Sequence, residues 1–239
     1  MKVNYGEPYW VKFKWDLSNH HNNQYVTEFN KLDCEEISNI TQNESFIITC
    51  QFKIEKKYKT DRICMIFGKP GNNLGLTYNT ETNKLSFEFK SNDNHNIMTF
   101  DSITQSDIEK GILISIVKSN NHFIIYKNFE KEGEMEFQGN LSTDLDETGL
   151  FIGTANHYTT NNNHKFYCEM EIDFFNIILN SNNIDDAKDS YQSKTFDLIT
   201  KTYYNNLLCH YNFKRINNLG IVYDESKNTN FLERTIIYK

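Results

Sequence analysis

Two-residue alternation of apolar and polar side chains dominates this 239-residue chain. In "SFIITCQFKI" the even positions Phe46, Ile48, Cys50, Phe52 and Ile54 are apolar, and Thr49, Gln51 and Lys53 on the other phase are polar. Successive side chains of a strand point to opposite faces, so this pattern predicts a half-buried β-strand. Residues 62–67 read as another strand, ended by a turn containing Gly68, Pro70 and Gly71. Leu74, Leu76 and Tyr78, then Leu85, Phe87 and Phe89, form a hairpin about Asn79 to Asn83. "GILISIVKSNNHFIIYKN" is a second hairpin, with asparagines at the turn where positive φ is tolerated. "GLFIG" and "FYCEMEIDFFNIIL" follow; in the latter Phe166, Cys168, Met170, Ile172 and Phe174 are apolar, leaving Tyr167, Glu169, Glu171 and Asp173 to face water. Further strand signals occur at Leu207 to Phe213, Ile221 to Tyr223 and Thr235 to Tyr238.

One helix is expected near 183–192, capped by Asn182, with Asp185 and Asp186 in its first turn where the helix dipole favours negative charge. Many short strands with one short helix predict an all-β fold of two packed antiparallel sheets, a jelly-roll sandwich. With only two prolines and no Gly/Ser-rich tract to serve as a linker, a single domain over 1–239 is expected, its core spanning 46–192 and the strands of 205–239 completing the same sandwich.

A formal charge of −7 argues against nucleic acid as the partner, since phosphate binding needs a clustered basic surface. No apolar run is long enough for a signal peptide or a bilayer span, which implies synthesis in the cytoplasm without membrane insertion. Five cysteines, none in a C-x-x-C pair, read as free and mostly buried thiols. Sequons at Asn39, Asn43 and Asn140 arise readily in a chain this rich in asparagine.

The order of "NESFIITCQFKI", "NLGLTYNTETNKLSFEF", "GILISIVKSNNHFIIYKN", "GLFIG" and "EMEIDFFNIILNSNNIDD" resembles the laminin-G-like, concanavalin-A-like lectin and glucanase modules across about 46–192. The chain departs from that pattern at "YKNFEKEG", where the hairpin turn of such modules is usually tighter. The tail from Leu207 resembles the motif that opens such modules, with a fainter echo near the N-terminus. The resemblance implies a non-catalytic recognition or assembly module for a glycan or a protein surface. Low alanine and abundant Asn, Ile and Lys fit an AT-rich genome, and with no signal peptide a virion accessory role or a homo-oligomer is consistent with that reading.

The alternative is a carbohydrate-active enzyme. Laminarinase-type glycosidases carry a Glu-x-Asp-x-x-Glu strand; here the segment reads Glu171, Asp173 and Asn176, and an amide cannot act as the general acid. Retaining glycosidases need two carboxyl groups about 5 Å apart across one bond, whereas Glu169 and Glu171 lie along one wall of a strand. No catalytic residue is therefore assigned. The long connection 154–165 offers ligand-binding candidates Asn156, His157, Tyr158, Asn161 and His164, joined by Glu169 and Glu171, or else it is an unstructured surface loop. Asp144 and Asp146 in "DLDETG" resemble the start of a calcium loop, but position twelve is Ala155, so any calcium site would need donors from distant loops.

Overall fold

A computed structural model describes residues 11–13, 31–32, 40–54, 62–69, 74–92, 94–142, 150–152, 156–159, 162–165, 170–193, 198–216, 222–224 and 226. Its strands are β1 Val11–Phe13, β2 Lys31–Leu32, β3 Ser45–Lys53, β4 Ile63–Lys69, β5 Leu74–Asn79, β6 Lys84–Ser91, β7 Asn94–Phe100, β8 Ile112–Ser119, β9 His122–Lys127, β10 Glu130–Glu136, β11 Leu150–Ile152, β12 Asn156–Thr159, β13 Asn162–Lys165, β14 Met170–Leu179, β15 Leu207–Ile216 and β16 Val222–Asp224. Helices α1, Gln105–Lys110, and α2, Ile184–Gln192, complete the set used below.

Two antiparallel sheets form the sandwich. The first runs β10-β9-β8-β3-β14-β15-β16, with β1 also pairing β14, and the second runs β2-β11-β4-β5-β6-β7. Their facing surfaces bury one apolar core, in which Phe46, Phe87, Phe89, Phe123 and Phe137 interlock with ring centroids from 4.7 to 6.1 Å apart. Edge-on, tilted and stacked aromatic contacts of this kind add to the area they bury.

Strand β14 departs from simple alternation. Ile172 pairs with Phe52 and Phe174 with Gln51, so Asp173 is an extra residue, a β-bulge. Before it Met170 and Ile172 face the core; after it Phe175 and Ile177 do. The bulge turns Phe174 onto the outer face and leaves Asp173 buried, only 1% exposed, which corrects the expectation that the odd acids of this strand face water.

The outer face of the first sheet is itself covered. Helix α2 and the segment 198–206 lie on it and create a second apolar cluster of Ile47, Val117, Ile178, Ala187, Leu198, Tyr203 and Leu207. Strand β3 is accordingly buried on both faces over Phe46 to Cys50, not half-buried as its alternation suggests. The helix cap is Asn183, whose Oδ1 accepts from Asp185 N at 3.1 Å, whereas Asn182 Nδ2 reaches Ser119 Oγ at 3.0 Å.

Three further local expectations change. Gly68 lies inside β4, not in the turn after it, and Pro70 and Gly71 lie outside the described residues. The β9–β10 connection is a tight two-residue turn, Lys127 pairing with Glu130. Helix α1, too short for periodicity to reveal, is fixed by a capping box between Thr104 and Asp107.

Candidate functional site

Glu171 is the sequence candidate with a described side-chain partner. It opens β14 opposite Lys53 at the end of β3, and its Oε2 lies 2.8 Å from Lys53 Nζ, with 14% and 17% of the side chains exposed. Gln51, two residues back on the same outer face of β3, accepts from Tyr191 Oη at 2.8 Å through its Oε1. Tyr191, on the last turn of α2, packs edge-on against Phe174 with centroids 5.1 Å apart and 88° between planes. The strand register places Lys127 level with Ile114 and Cys50, so the turn Asn128–Phe129 sits level with Gln51. Phe129 reaches Tyr191 at 5.8 Å. One end of the first sheet's outer face therefore carries a half-buried set of an amide, an ion pair and two aromatic rings. The Asp107–Lys127 ion pair at 3.1 Å flanks this end.

Asn156, His157, Tyr158 and His164 lie on a hairpin, which corrects the reading of 154–165 as a loop. β12 and β13 form a two-stranded sheet of their own, with Asn156 opposite Lys165, His157 opposite His164, and Tyr158 opposite Asn163. By connectivity the hairpin lies between β11 and the Glu171 end of β14. Asn161, Glu169, Asp144 and Asp146 lie outside the described residues. Among the described residues no group of three His, Cys, Asp or Glu side chains is placed to hold a metal ion, and no helix is long and apolar enough to cross a membrane.

The residue that matters most for the enzyme alternative is Asn176, at the position of the glycosidase general acid. It is fully buried beneath α2, and its Nδ2 donates to Ser190 Oγ at 2.8 Å. That hydroxyl lies 3.2 Å from His210 Nδ1 on β15. A serine and a histidine in contact bring a hydrolase dyad to mind, but Ser190 and His210 are 0% and 1% exposed and no substrate reaches them. The trio is a latch that pins α2 to two strands. Periodicity gives no sign of it: His210 falls on the polar phase of its strand, and Asn176 continues the apolar phase of 166–174, which the bulge at Asp173 reverses.

Two other polar groupings escape sequence reasoning. On the outer face of the second sheet Glu88, 9% exposed, accepts from Thr77 Oγ1 at 2.6 Å and lies 3.1 Å from His95 Nε2. Cross-strand ladders of this kind stabilise a sheet face. Lys118 is folded back to donate to the carbonyls of Asn43 and Glu44 at 2.6 and 3.1 Å, and burial pulls its pKa down.

No family model and no curated protein sequence matches the chain. Solved structures do match in fold. A protein from Bacteroides ovatus named for carbohydrate binding superposes with a TM-score of 0.52 at 12% identity over 76% of this chain and 49% of its own. The binding domain of botulinum neurotoxin serotype D gives 0.47 at 16% identity over 66% and 39%. The carbohydrate-binding module of the Ruminococcus gnavus IT-sialidase, solved with α2,6-sialyllactose, gives 0.42 at 11% over 62% and 86%. This chain thus spans about half the length of the first of them. At these identities the likeness concerns architecture alone, and the architecture is a concanavalin-A-like jelly-roll sandwich of two antiparallel sheets.

Proposed function

We propose that the protein is a non-catalytic glycan-recognition module. The observation that carries this reading is the pre-ordered set at the outer end of the first sheet, where Lys53 and Glu171 are held together, Gln51 is fixed by Tyr191, and the rings of Phe129 and Tyr191 lie alongside. Sugars present hydroxyl rims and apolar C–H faces, and a rigid sheet bearing amide, carboxylate and ammonium groups next to aromatic carbon matches both. Groups already locked by mutual hydrogen bonds lose little freedom on binding. In this reading the hairpin β12–β13, bearing Asn156, His157, Tyr158 and His164, contributes further amide, imidazole and phenol groups for a ligand.

Catalysis is disfavoured by the chemistry of the acidic strand. Glu171 is ion-paired to Lys53, Asp173 is buried in a bulge, and the third position is an amide under a helix. Among the described residues nothing there presents two opposed carboxyl groups to one bond. The test is a printed array of neutral and sialylated oligosaccharides probed with the wild type and with Tyr158→Ala and Glu171→Ala. Retention of a defined set of sugars by the wild type, weakened about tenfold or more in either variant, is expected. An array without hits contradicts the reading.

A further inference from the structure

The outermost strands of the two described sheets are not equally protected. An edge strand offers a row of open N–H and C=O groups, and proteins guard such edges with short strands, charged side chains, prolines or bulges. β2 and β16 are described over two and three residues. β10 carries Glu130, Lys131, Glu132, Glu134 and Glu136, and a register shift between Lys131 and Gly133 interrupts it. β7, the remaining edge, has none of these devices. Its seven residues, Asn94–Phe100, include no Lys, Arg, Asp, Glu or Pro, and its register against β6 is unbroken.

Only alternate residues of an antiparallel strand bond a given neighbour, so about half of the backbone groups of β7 point away from β6. Among the described residues no other strand meets them. β10 approaches β7 at Gly133, where a β-carbon would lie 3.6 Å from Met98 Sδ, without exchanging a backbone hydrogen bond. Met98 and Phe100 face the core, and His95, Ile97 and Thr99 alternate with them on the outer face. Ile97 is 50% exposed at the middle of this open strand.

We propose that β7 is the pairing edge for a second copy of this chain, the two strands running antiparallel about a two-fold axis at Met98. An edge shared by two copies must be complementary to itself. At this register it is: Ile97 lies opposite Thr99 of the other copy, His95 lies opposite its Asp101, and no like charges oppose one another. The Asp101 side chain, just past the strand, is 85% exposed and pairs with Lys84 at 2.6 Å, which leaves it accessible to an imidazole as well. Cross-strand pairs of β-branched side chains and of opposite charges are the contacts that stabilise a sheet. The inference does not rest on glycan recognition, which concerns the other sheet.

The test is sedimentation equilibrium of the whole chain, from about 1 to about 300 μM, as wild type and as Ile97→Lys. A seven-residue edge is smaller than a standard interface, so a dissociation constant of about 10–100 μM is expected. The wild-type mass should rise from 28.3 kDa toward twice that value. Ile97→Lys, which places a charge on the open edge, should weaken association at least about tenfold and leave the thermal midpoint unchanged. Wild type that stays at 28.3 kDa throughout leaves the edge to a strand of another protein or to none, and overturns the pairing. A dimer that Ile97→Lys leaves equally tight has its interface elsewhere and also overturns it. If Ile97→Lys does not fold, amide exchange in the wild type decides: slower exchange along β7 at high than at low concentration supports the pairing, and equal exchange refutes it.

Discussion

Asn176 Nδ2 donates a 2.8 Å hydrogen bond to Ser190 Oγ, fastening the middle of β14 to helix α2. The bond links the position where a laminarinase-type glycosidase motif carries its acid to a helix that seals that position from solvent. Removing the Ser190 hydroxyl leaves the Asn176 amide and His210 Nδ1 buried without this partner, and each such loss costs about 1–3 kcal/mol. Ser190→Ala is expected to destabilise the protein by roughly that amount, read as a lower urea midpoint with unchanged m-value. A change under about 0.5 kcal/mol would show that the latch does not hold the helix.

Gly68 and Gly75 oppose one another on β4 and β5, but they differ in room. A β-carbon on Gly68 would lie 2.8 Å from Leu74 O and 2.9 Å from Gly75 Cα, both backbone, whereas one on Gly75 meets nothing nearer than 3.3 Å. Gly68→Ala should therefore destabilise by about 1–3 kcal/mol, the usual range for overpacking, and Gly75→Ala by distinctly less. Equal effects in a denaturant titration would contradict the strand pairing.

Asp107 closes the capping box of α1. Hydrogen bonds from the Thr104 backbone and hydroxyl, with Lys127 nearby, hold its carboxyl below the ordinary value of 3.8. A depressed carboxyl pKa adds stability that is complete above the unfolded value and disappears as pH falls through the folded one. Asp107→Asn should cost about 0.5 kcal/mol at neutral pH, a modest figure because the site is largely exposed. The difference from wild type should shrink below pH 3.8. A gap that persists in acid would assign the effect to something other than ionisation.

Cys50, Cys64 and Cys209 are buried thiols outside any disulfide, and burial pushes the Cys50 thiol well above its ordinary pKa. Thiolates, not thiols, react with alkylating agents. Iodoacetamide should therefore leave these three unmodified in the native protein and label them in urea, as read by mass spectrometry of peptides. Rapid native labelling of Cys50 would mean that the core between β3, β8 and β14 opens readily.

The inner face of the sandwich can be read from the sequence because it obeys a two-residue period: Phe46, Ile48, Cys50 and Phe52, then Leu85, Phe87 and Phe89, all point where alternation puts them. The outer face of the first sheet cannot. Thr49 and Ser115 look like solvent-facing residues, yet they are buried and lie 3.1 Å apart, Oγ1 to Oγ, because a helix distant in sequence covers them. Periodicity reports which residues share a face and not what lies on it. The bulge at Asp173 reverses the phase within one strand, and a run of alternating apolar residues conceals that reversal since Phe174 and Phe175 are both apolar. Glu171 was found because an acid next to an apolar strand attracts notice. Gln51, Tyr191 and Phe129 are not legible in the sequence as members of the candidate site because they come from three separate elements that only the fold brings together.

The most direct measurement of the central claim follows one protein sample through binding and turnover together. Each oligosaccharide retained on the array is titrated calorimetrically, then incubated with the protein while newly released reducing ends are counted. Saturable binding with no release, in wild type and in Glu171→Gln alike, is the predicted result. Release of reducing ends that disappears in Glu171→Gln would contradict the account.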